Sequence, residues 1–197
     1  MKVGVLALQG AVALHVEAFE VLGAAPVEVR CLDTLDSVAA LVMPGGESTT
    51  ISRLLTTAGL FDPLARRLRE GLPVMGTCAG MILLASRVLD GRPDQRCLDA
   101  IDIDVRRNAF GRQVDSFEAA LAIDGIEDGP FHGVFIRAPY VDRIGSGVDV
   151  LASVAGHAVA CQQGRVLVTA FHPELATTAS GGGDLRVHEH FLNLASS

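Results

Sequence analysis

Paired cysteines are missing from this sequence. Its 197 residues include four cysteines, and no two of them stand in a Cys-x-x-Cys spacing. Zinc sites and disulfide frameworks both depend on such clustering, so we expect neither, and we predict no metal and no other cofactor. Scattered thiols suit a reducing cytoplasmic environment, which would keep a reactive thiol reduced.

Long apolar runs and an excess of positive charge are missing as well. No apolar run approaches the roughly 18 residues that a membrane span needs. The net charge is −7, which argues against binding to nucleic acid or to an anionic membrane surface. Lys2 and an apolar strand-like segment follow Met1 directly, so we expect no signal peptide.

Apolar residues are plentiful enough for a large core. Hydrophobic residues make up 49% of the chain and charged residues 20%, a balance that argues against intrinsic disorder. The length suits one domain of ordinary size. Because neither an internal repeat nor a low-complexity linker interrupts it, we predict a single domain over residues 1–197.

Strand-like and helix-like segments alternate through the first half of the chain. Residues 3–8, 27–31, 37–43 and 74–75 are predicted strands, and residues 11–22 have the apolar spacing of a helix. Strands that are apolar on both faces and alternate with helices are typical of a mostly parallel sheet. The sequence therefore predicts an α/β fold, a three-layer sandwich with helices on both faces of the sheet.

A different pattern begins after about Cys97. Residues 115–124 alternate between apolar and polar side chains, which predicts an antiparallel strand with one wet face. Residues 158–170 predict a hairpin that turns at Gln163-Gly164, and residues 185–194 predict a final helix. We expect antiparallel additions to the sheet in the C-terminal half.

The most informative motif surrounds Cys78. An apolar segment runs into Gly76-Thr77-Cys78-Ala79-Gly80 and then into helix-forming residues, which is the cysteine form of a nucleophile elbow. The glycines give the backbone room for a sharp turn between strand and helix. Peptide N–H groups at the start of such a helix face the same point and can hold an oxyanion. We interpret Cys78 as the nucleophile of an acyl transfer through a thioester.

A candidate base and a candidate carboxylate follow another predicted strand. Residues 166–171 are apolar and lead into His172-Pro173-Glu174. Glu174 could hold the imidazole tautomer of His172 and stabilise the imidazolium. The alternative is an ordinary hydrogen-bonded structural histidine.

The remaining cysteines and histidines give weaker signals. We interpret Cys31, Cys97 and Cys161 as small buried hydrophobes. We expect His188 and His190 at the surface of the last helix, and three histidines offer no geometric argument, namely His15, His132 and His157.

A glycine turn precedes the predicted helix that opens at residues 47–50. In Pro44-Gly45-Gly46-Glu47-Ser48-Thr49, a glycine N–H could face a bound oxygen. The alternative is a plain strand-to-helix turn capped by Ser48 or Thr49. No phosphate-loop lysine follows, so nucleotide binding is not expected. Because this turn and Cys78 are predicted at the same edge of the sheet, we favour a shared pocket.

Two arginines are candidates for binding a substrate carboxylate. Arg107 stands in a polar loop, residues 106–113, whose arginines have no acidic neighbour in sequence. Arg137 follows Ile136 at the end of a predicted strand. A guanidinium suits an α-carboxylate.

Together these motifs resemble the class I, or triad, glutamine amidotransferases. More narrowly, the chain resembles the glutaminase-subunit family of pyridoxal 5′-phosphate synthase. The cysteine and His-Pro-Glu motifs are shared by all triad amidotransferases, and the others narrow the resemblance to this family. The matching segments span nearly the whole chain in the family's order: residues 4–10, 44–50, 76–80, 107–113 and 171–175.

The resemblance implies a role for each of these residues. Cys78 would attack the side-chain amide of L-glutamine, with His172 and Glu174 completing the triad. Backbone N–H groups of Gly46 and Ala79 would form the oxyanion hole. The ammonia would pass to a separate synthase subunit that builds pyridoxal phosphate from a pentose phosphate and a triose phosphate, and that activates the glutaminase. The residues expected to line the glutamine pocket are Gly46, Glu47, Ser48, Arg107, Ile136 and Arg137.

Three other functions remain open at this level. The chain could be the glutaminase of another synthase, such as that of the histidine pathway, although the motif at residues 107–113 argues against it. It could be a non-catalytic regulatory module on the same fold, although such modules usually lose a triad member. A cysteine peptidase is the weakest alternative.

Overall fold

The computed structural model of the protein describes residues 1–107 and 116–197. Within these ranges the chain forms an α/β fold in which helices cover a central sheet. No helix in the described ranges is long and apolar enough to cross a membrane. The strands are β1 (Lys2–Leu6), β2 (Ala25–Val29), β3 (Ala40–Met43), β4 (Val74–Thr77), β5 (Ala85–Val88), β6 (Ile101–Arg106), β7 (Ser116–Leu121), β8 (Phe131–Ile136), β9 (Tyr140–Ile144), β10 (Asp149–Val154), β11 (His157–Gln163) and β12 (Val166–Thr169).

The helices connect the strands of the first half and close the chain. A short 3₁₀ turn, Pro173–Leu175, follows β12. The α-helices are α1 (Val12–Val21), α2 (Leu32–Asp36), α3 (Ser48–Thr57), α4 (Phe61–Arg69), α5 (Ala79–Leu84) and α6 (Arg186–Ser196).

Parallel strands form the half of the sheet that carries the candidate site. The strand order there is β2-β1-β3-β4-β12, and every neighbouring pair is parallel. Gly76 of β4 is level with Met43 of β3 on one side and with Val168 of β12 on the other. The carboxyl ends of these three strands therefore meet at one edge, from which the chain leads to Gly45, Cys78 and His172.

The rest of the sheet is largely antiparallel, as predicted. β11 pairs antiparallel with β12, β9 and β10, and β9 pairs antiparallel with β6. β7 and β8 form a separate antiparallel hairpin. The alternating segment predicted over 115–124 is a strand only at Ser116–Leu121, with residue 115 outside the described ranges, and Leu121 is buried on its inner face.

Several predicted strands have different bounds in the structure. The strand predicted over 3–8 is β1, at Lys2–Leu6, and the strand predicted at 74–75 is β4, at Val74–Thr77. The strand predicted over 37–43 begins at Ala40, because the short helix α2 occupies Leu32–Asp36 just before it. The strand predicted over 27–31 is β2, at Ala25–Val29, and it is only partly buried because it lies at the sheet edge.

Candidate active site

Cys78 occupies a strained position between β4 and α5. Its backbone has φ +48° and ψ −100°, a left-handed conformation that non-glycine residues keep only when their surroundings enforce it. The Cys78 N–H donates to the Thr169 carbonyl oxygen over 2.8 Å, which ties the turn to β12. The junction therefore has the geometry of a nucleophile elbow.

Both flanking glycines are required by close packing. A Cβ on Gly76 would lie 2.7 Å from the Gly80 carbonyl carbon, and a Cβ on Gly80 would lie 2.0 Å from the Met43 carbonyl oxygen. Any larger residue would push α5 away from β3 and β4. The glycines thus allow the close approach of helix and strands that forms the turn.

His172 and Glu174 are held together by the 3₁₀ turn that follows β12. The His172 Nδ1 atom lies 2.7 Å from Glu174 Oε1, and the Glu174 side chain is 0% exposed. The His172 N–H also donates to the Val134 carbonyl oxygen of β8 over 2.9 Å. Gly45 makes room for the ring, since a Cβ there would be 2.4 Å from His172 Cε1.

The pKa shifts of this pair suit an imidazolium held by a carboxylate. Burial opposes protonation of His172, but its hydrogen bonds to Cys78 and Glu174 outweigh burial and raise the pKa of His172 to about 10. Burial would also raise the pKa of Glu174, yet the hydrogen bond from His172 and the nearby His15 bring that pKa below its ordinary value. His172 can therefore take the proton of the Cys78 thiol and hold it as an imidazolium.

These groups open into a pocket of about 270 Å³. The structure brings the predicted glutamine-binding residues together around Cys78 and His172, while Ala79 and Glu174 are not among the residues that line the pocket. Gln9 and Ile82 were not among the predicted site residues, although Gln9 belongs to the matching segment at residues 4–10. The lining residues are Gln9, Gly46, Glu47, Ser48, Cys78, Ile82, Arg107, Ile136, Arg137 and His172.

Glu47 caps α3, so the alternative of a Ser48 or Thr49 cap is wrong. Its carboxylate accepts from the backbone N–H groups of Thr49 and Thr50 over 3.3 Å and 2.7 Å. Arg107 Nη2 donates to Glu47 Oε1 over 3.1 Å. Although burial opposes ionisation, the hydrogen bonds from Thr50 and Thr49 and the Arg107 charge lower the pKa of Glu47.

The two candidate arginines differ in their partners. Arg107 forms an ion pair with Glu47, which is distant in sequence. The absence of acidic neighbours in sequence therefore did not mean that Arg107 lacks an acidic partner. No ion pair in the described ranges involves Arg137. Arg137 also has a positive φ of 44° and is exposed at the pocket rim. Within the polar loop at residues 106–113, Asn108 to Gln113 lie outside the described residues.

His188 is buried, which contradicts its expected place at the surface. It is 0% exposed, and so is His15. The spacing of His188, Phe191 and Ala195 places them on the buried face of α6, and this i, i+3, i+7 pattern was readable in the sequence. His190, also expected at the surface, is half-buried and lies 3.1 Å from Gln162 Oε1.

The other three cysteines differ from one another. Cys161 is buried as predicted, whereas Cys97 is half-buried, and burial raises the pKa of these thiols to about 12 and about 11. The prediction for Cys31 was wrong, because this residue is exposed at the start of α2. The Thr34 hydroxyl lowers the pKa of the Cys31 thiol.

Comparison with known proteins identifies the family. A family model described as "SNO glutamine amidotransferase family" matches residues 5–196. The chain belongs to this SNO glutamine amidotransferase family.

Relatives of this SNO family member cover nearly its whole length. The "Pyridoxal 5'-phosphate synthase subunit PdxT" of Nocardia farcinica is 56% identical, over 98% of this chain and 84% of the relative. The protein of the same name from Mycobacteroides abscessus is 58% identical, over 98% and 96%. A solved structure titled "Crystal structure of glutamine amidotransferase" is 48% identical, with a TM-score of 0.90 over 99% of both chains. The predicted fold and family resemblance are confirmed.

The burial of His188 predicts that this SNO family member loses stability in acid. Burial, with His15 nearby, lowers the pKa of His188 to about 3, and Glu174 only partly offsets this. Since the unfolded state binds the proton first, the stability that depends on neutral His188 is complete above pH 6.5 and is lost as pH falls toward 3. At pH 5 this effect lowers the free energy of unfolding by about 2 kcal/mol.

We therefore expect His188→Gln to flatten the acid dependence of stability. Urea unfolding at pH 7.5 and pH 5.0 should show that the variant loses about 2 kcal/mol less than the wild-type chain over this range. His190→Gln, on the same helix, is the control and should change the slope less. An identical pH slope in wild type and His188→Gln would contradict the assignment of His188 as a buried neutral group.

Proposed function

We propose that this chain hydrolyses L-glutamine to L-glutamate and ammonia, and that the ammonia passes to the synthase subunit of pyridoxal 5′-phosphate synthase. The chain would thus act in vitamin B6 biosynthesis as part of a cytoplasmic hetero-oligomer. The observation that carries the proposal is the arrangement of the three candidate residues. Cys78 lies at a strained elbow and lines the same pocket as His172, whose ring is hydrogen-bonded to Glu174. The curated relatives carry the name of a pyridoxal 5′-phosphate synthase subunit, which supports the pathway.

The reaction proceeds through a thioester on Cys78. With the thiol proton held on His172 as an imidazolium, Sγ attacks the side-chain amide carbon of glutamine, and His172 then gives this proton to the departing nitrogen, which leaves as ammonia. Water, losing a proton to His172, attacks the thioester and releases glutamate, and the proton returns to sulfur. Glu174 keeps the imidazole oriented and stabilises its cationic form throughout.

The pocket offers opposite charges for the two ends of the amino acid. Arg137, unpaired within the described ranges, would bind the α-carboxylate, and the Glu47 carboxylate would face the α-ammonium group. Arg107 holds Glu47 in place over 3.1 Å, while Gly46, Ser48 and Ile136 complete the wall. The oxyanion would be held by the backbone N–H groups of Gly46 and Ala79.

No cofactor enters this chemistry. A thiol, an imidazole, a carboxylate and water suffice for amide hydrolysis, so we propose that no metal takes part. The negative net charge of −7 supports partners other than nucleic acid or an anionic membrane.

Glutamate and ammonia release from the purified chain with its synthase subunit tests the proposal. We expect hydrolysis of glutamine and little hydrolysis of asparagine, whose amide is one methylene nearer the α-carbon. Absence of glutamate at saturating synthase would refute the glutaminase and favour the alternative of a non-catalytic regulatory module. Active hydrolysis without glutamine-dependent pyridoxal phosphate, from a synthase that works with ammonium salts, would favour the alternative of another amidotransferase.

A further inference from the structure

A buried pair of histidines lies on the far side of the Glu174 carboxylate from His172. His15 comes from α1 and His188 from α6, and both are 0% exposed. His15 Nε2 lies 3.4 Å from Glu174 Oε2, and His15 Nδ1 lies 3.0 Å from His188 Nε2. A continuous line of polar groups therefore runs from His172 through Glu174 to His188.

The protonation states along this line follow from what each atom faces. Glu174 Oε1 is hydrogen-bonded to His172 Nδ1. Glu174 Oε2 is buried and has no hydrogen bond of ordinary geometry in the described ranges. A carboxylate oxygen needs a donor, and His15 Nε2 faces it, so the proton of His15 belongs on Nε2. The Thr77 hydroxyl, 3.4 Å from the same nitrogen, can rotate to accept from it.

The remaining ring nitrogens agree with this assignment. With its proton on Nε2, His15 accepts at Nδ1 from His188 Nε2–H, and His188 Nδ1 is left as a bare acceptor. That atom has no hydrogen-bond partner in the described part of the chain. The opposite tautomers would leave a buried N–H unpaired there, which is rarer than an unpaired acceptor, and would turn a lone pair toward the carboxylate.

We propose that His15 is a positioning residue of the glutaminase, which holds the second oxygen of Glu174 through Nε2–H while His188 fixes the tautomer of His15. This proposal rests on the proposed function. Burial lowers the pKa of both histidines, so both are neutral near pH 7. A neutral donor orients the carboxylate without cancelling the charge that stabilises the His172 imidazolium. The 3.4 Å contact is long, and such contacts often tighten only when substrate is bound.

Two substitutions of His15 separate positioning from simple packing. In His15→Leu, Oε2 loses its donor, and we expect kcat to fall about tenfold with KM unchanged, by analogy with the loss of outer partners at metal sites. In His15→Gln, the amide nitrogen stands as many bonds from the backbone as Nε2, and we expect kcat within about threefold of wild type. His190→Gln, half-buried on α6, is the matched control and should leave kcat unchanged.

Steady-state glutamate production with the synthase subunit present gives kcat and KM for each variant. Wild-type kcat in His15→Leu, or an equal loss in His15→Leu and His15→Gln, would overturn the proposal. A wild-type chain inactive in the same assay would refute the glutaminase itself, so the two failures are distinguishable.

The tautomer is measurable in the wild-type chain, which covers the case in which His15→Leu fails to fold. With ¹⁵N-labelled histidine, His15 is assigned as the ring signal that disappears in His15→Gln. We expect Nε2 protonated and Nδ1 bare near pH 7. A proton on Nδ1 of His15, alone or with one on Nε2, would overturn the proposal.

Discussion

Glutaminase turnover should fall by roughly 10²-fold or more when Glu174 is replaced by Gln, as it does in triads that hold the wrong tautomer. The wild-type carboxylate accepts from His172 Nδ1 over 2.7 Å, which leaves Nε2 free to serve the thiol. A Gln side chain can instead donate through its amide nitrogen and so favour a proton on Nε2. It also cannot stabilise the imidazolium, because it carries no charge.

The comparison requires a variant that still folds. Gln has nearly the shape of Glu, so thermal unfolding near pH 7 should show a folded Glu174→Gln chain. Glu189→Gln, at an exposed site on α6, is the matched control and should keep full turnover. Full activity in a folded Glu174→Gln variant would remove Glu174 from the triad, and loss of wild-type activity on metal chelation would point to a different mechanism.

Docking of the synthase subunit should raise glutaminase turnover tenfold or more. A free glutaminase would waste glutamine, and the oxyanion hole at Gly45-Gly46 is the part most suited to a switch, because glycine peptides reorient at little steric cost. In the free chain the Gly45 carbonyl oxygen accepts from the Ala11 N–H over 3.1 Å. Because the Gly45 carbonyl and the Gly46 N–H belong to the same planar peptide, this hydrogen bond also fixes the direction of the Gly46 N–H. Loss of one oxyanion donor costs roughly 10²- to 10³-fold in turnover.

Breaking the hydrogen bond to Gly45 is within reach of a docked partner. One such bond contributes about 1 kcal/mol, and a partner shifts the equilibrium by its differential affinity for the two states. Glutamate production, measured while synthase subunit is added stepwise, gives the rise in turnover. The Cys78→Ala variant mixed with synthase gives the background. Full turnover by the chain alone, unchanged at saturating synthase, would leave hydrolysis intact and remove partner gating.

The sequence predicted those parts of the site that depend on local geometry. Glycines two positions either side of Cys78 define the elbow, and Pro173 separates a base from its carboxylate. The parallel sheet then brings Cys78 and His172 together, because the buried strands β4 and β12 end at the same edge. The local motif was visible in the sequence, whereas the pairing of β4 with β12 was not predicted from it.

Contacts between distant residues could not be predicted in the same way. The Arg107 pair with Glu47 and the His15 contact with Glu174 join residues far apart in sequence, and they depend on how helices pack on the sheet. The burial of His188 was a different failure, since the periodicity of α6 indicated it. Cys31 was misjudged because burial was assumed from residue type, although it precedes α2 at the surface.

Covalent labelling tests the central claim, that Cys78 is the nucleophile toward glutamine. The chain is treated with a diazo-ketone or chloro-ketone analogue of glutamine, and the adduct is located by peptide mass mapping. A small general alkylating agent serves as the control, because it should modify the exposed Cys31, whose pKa is lowered. We expect the glutamine analogue to label Cys78 alone, with loss of glutaminase activity and protection by glutamine. Labelling mainly on another cysteine, or equal labelling of Cys78→Ala, would contradict the account.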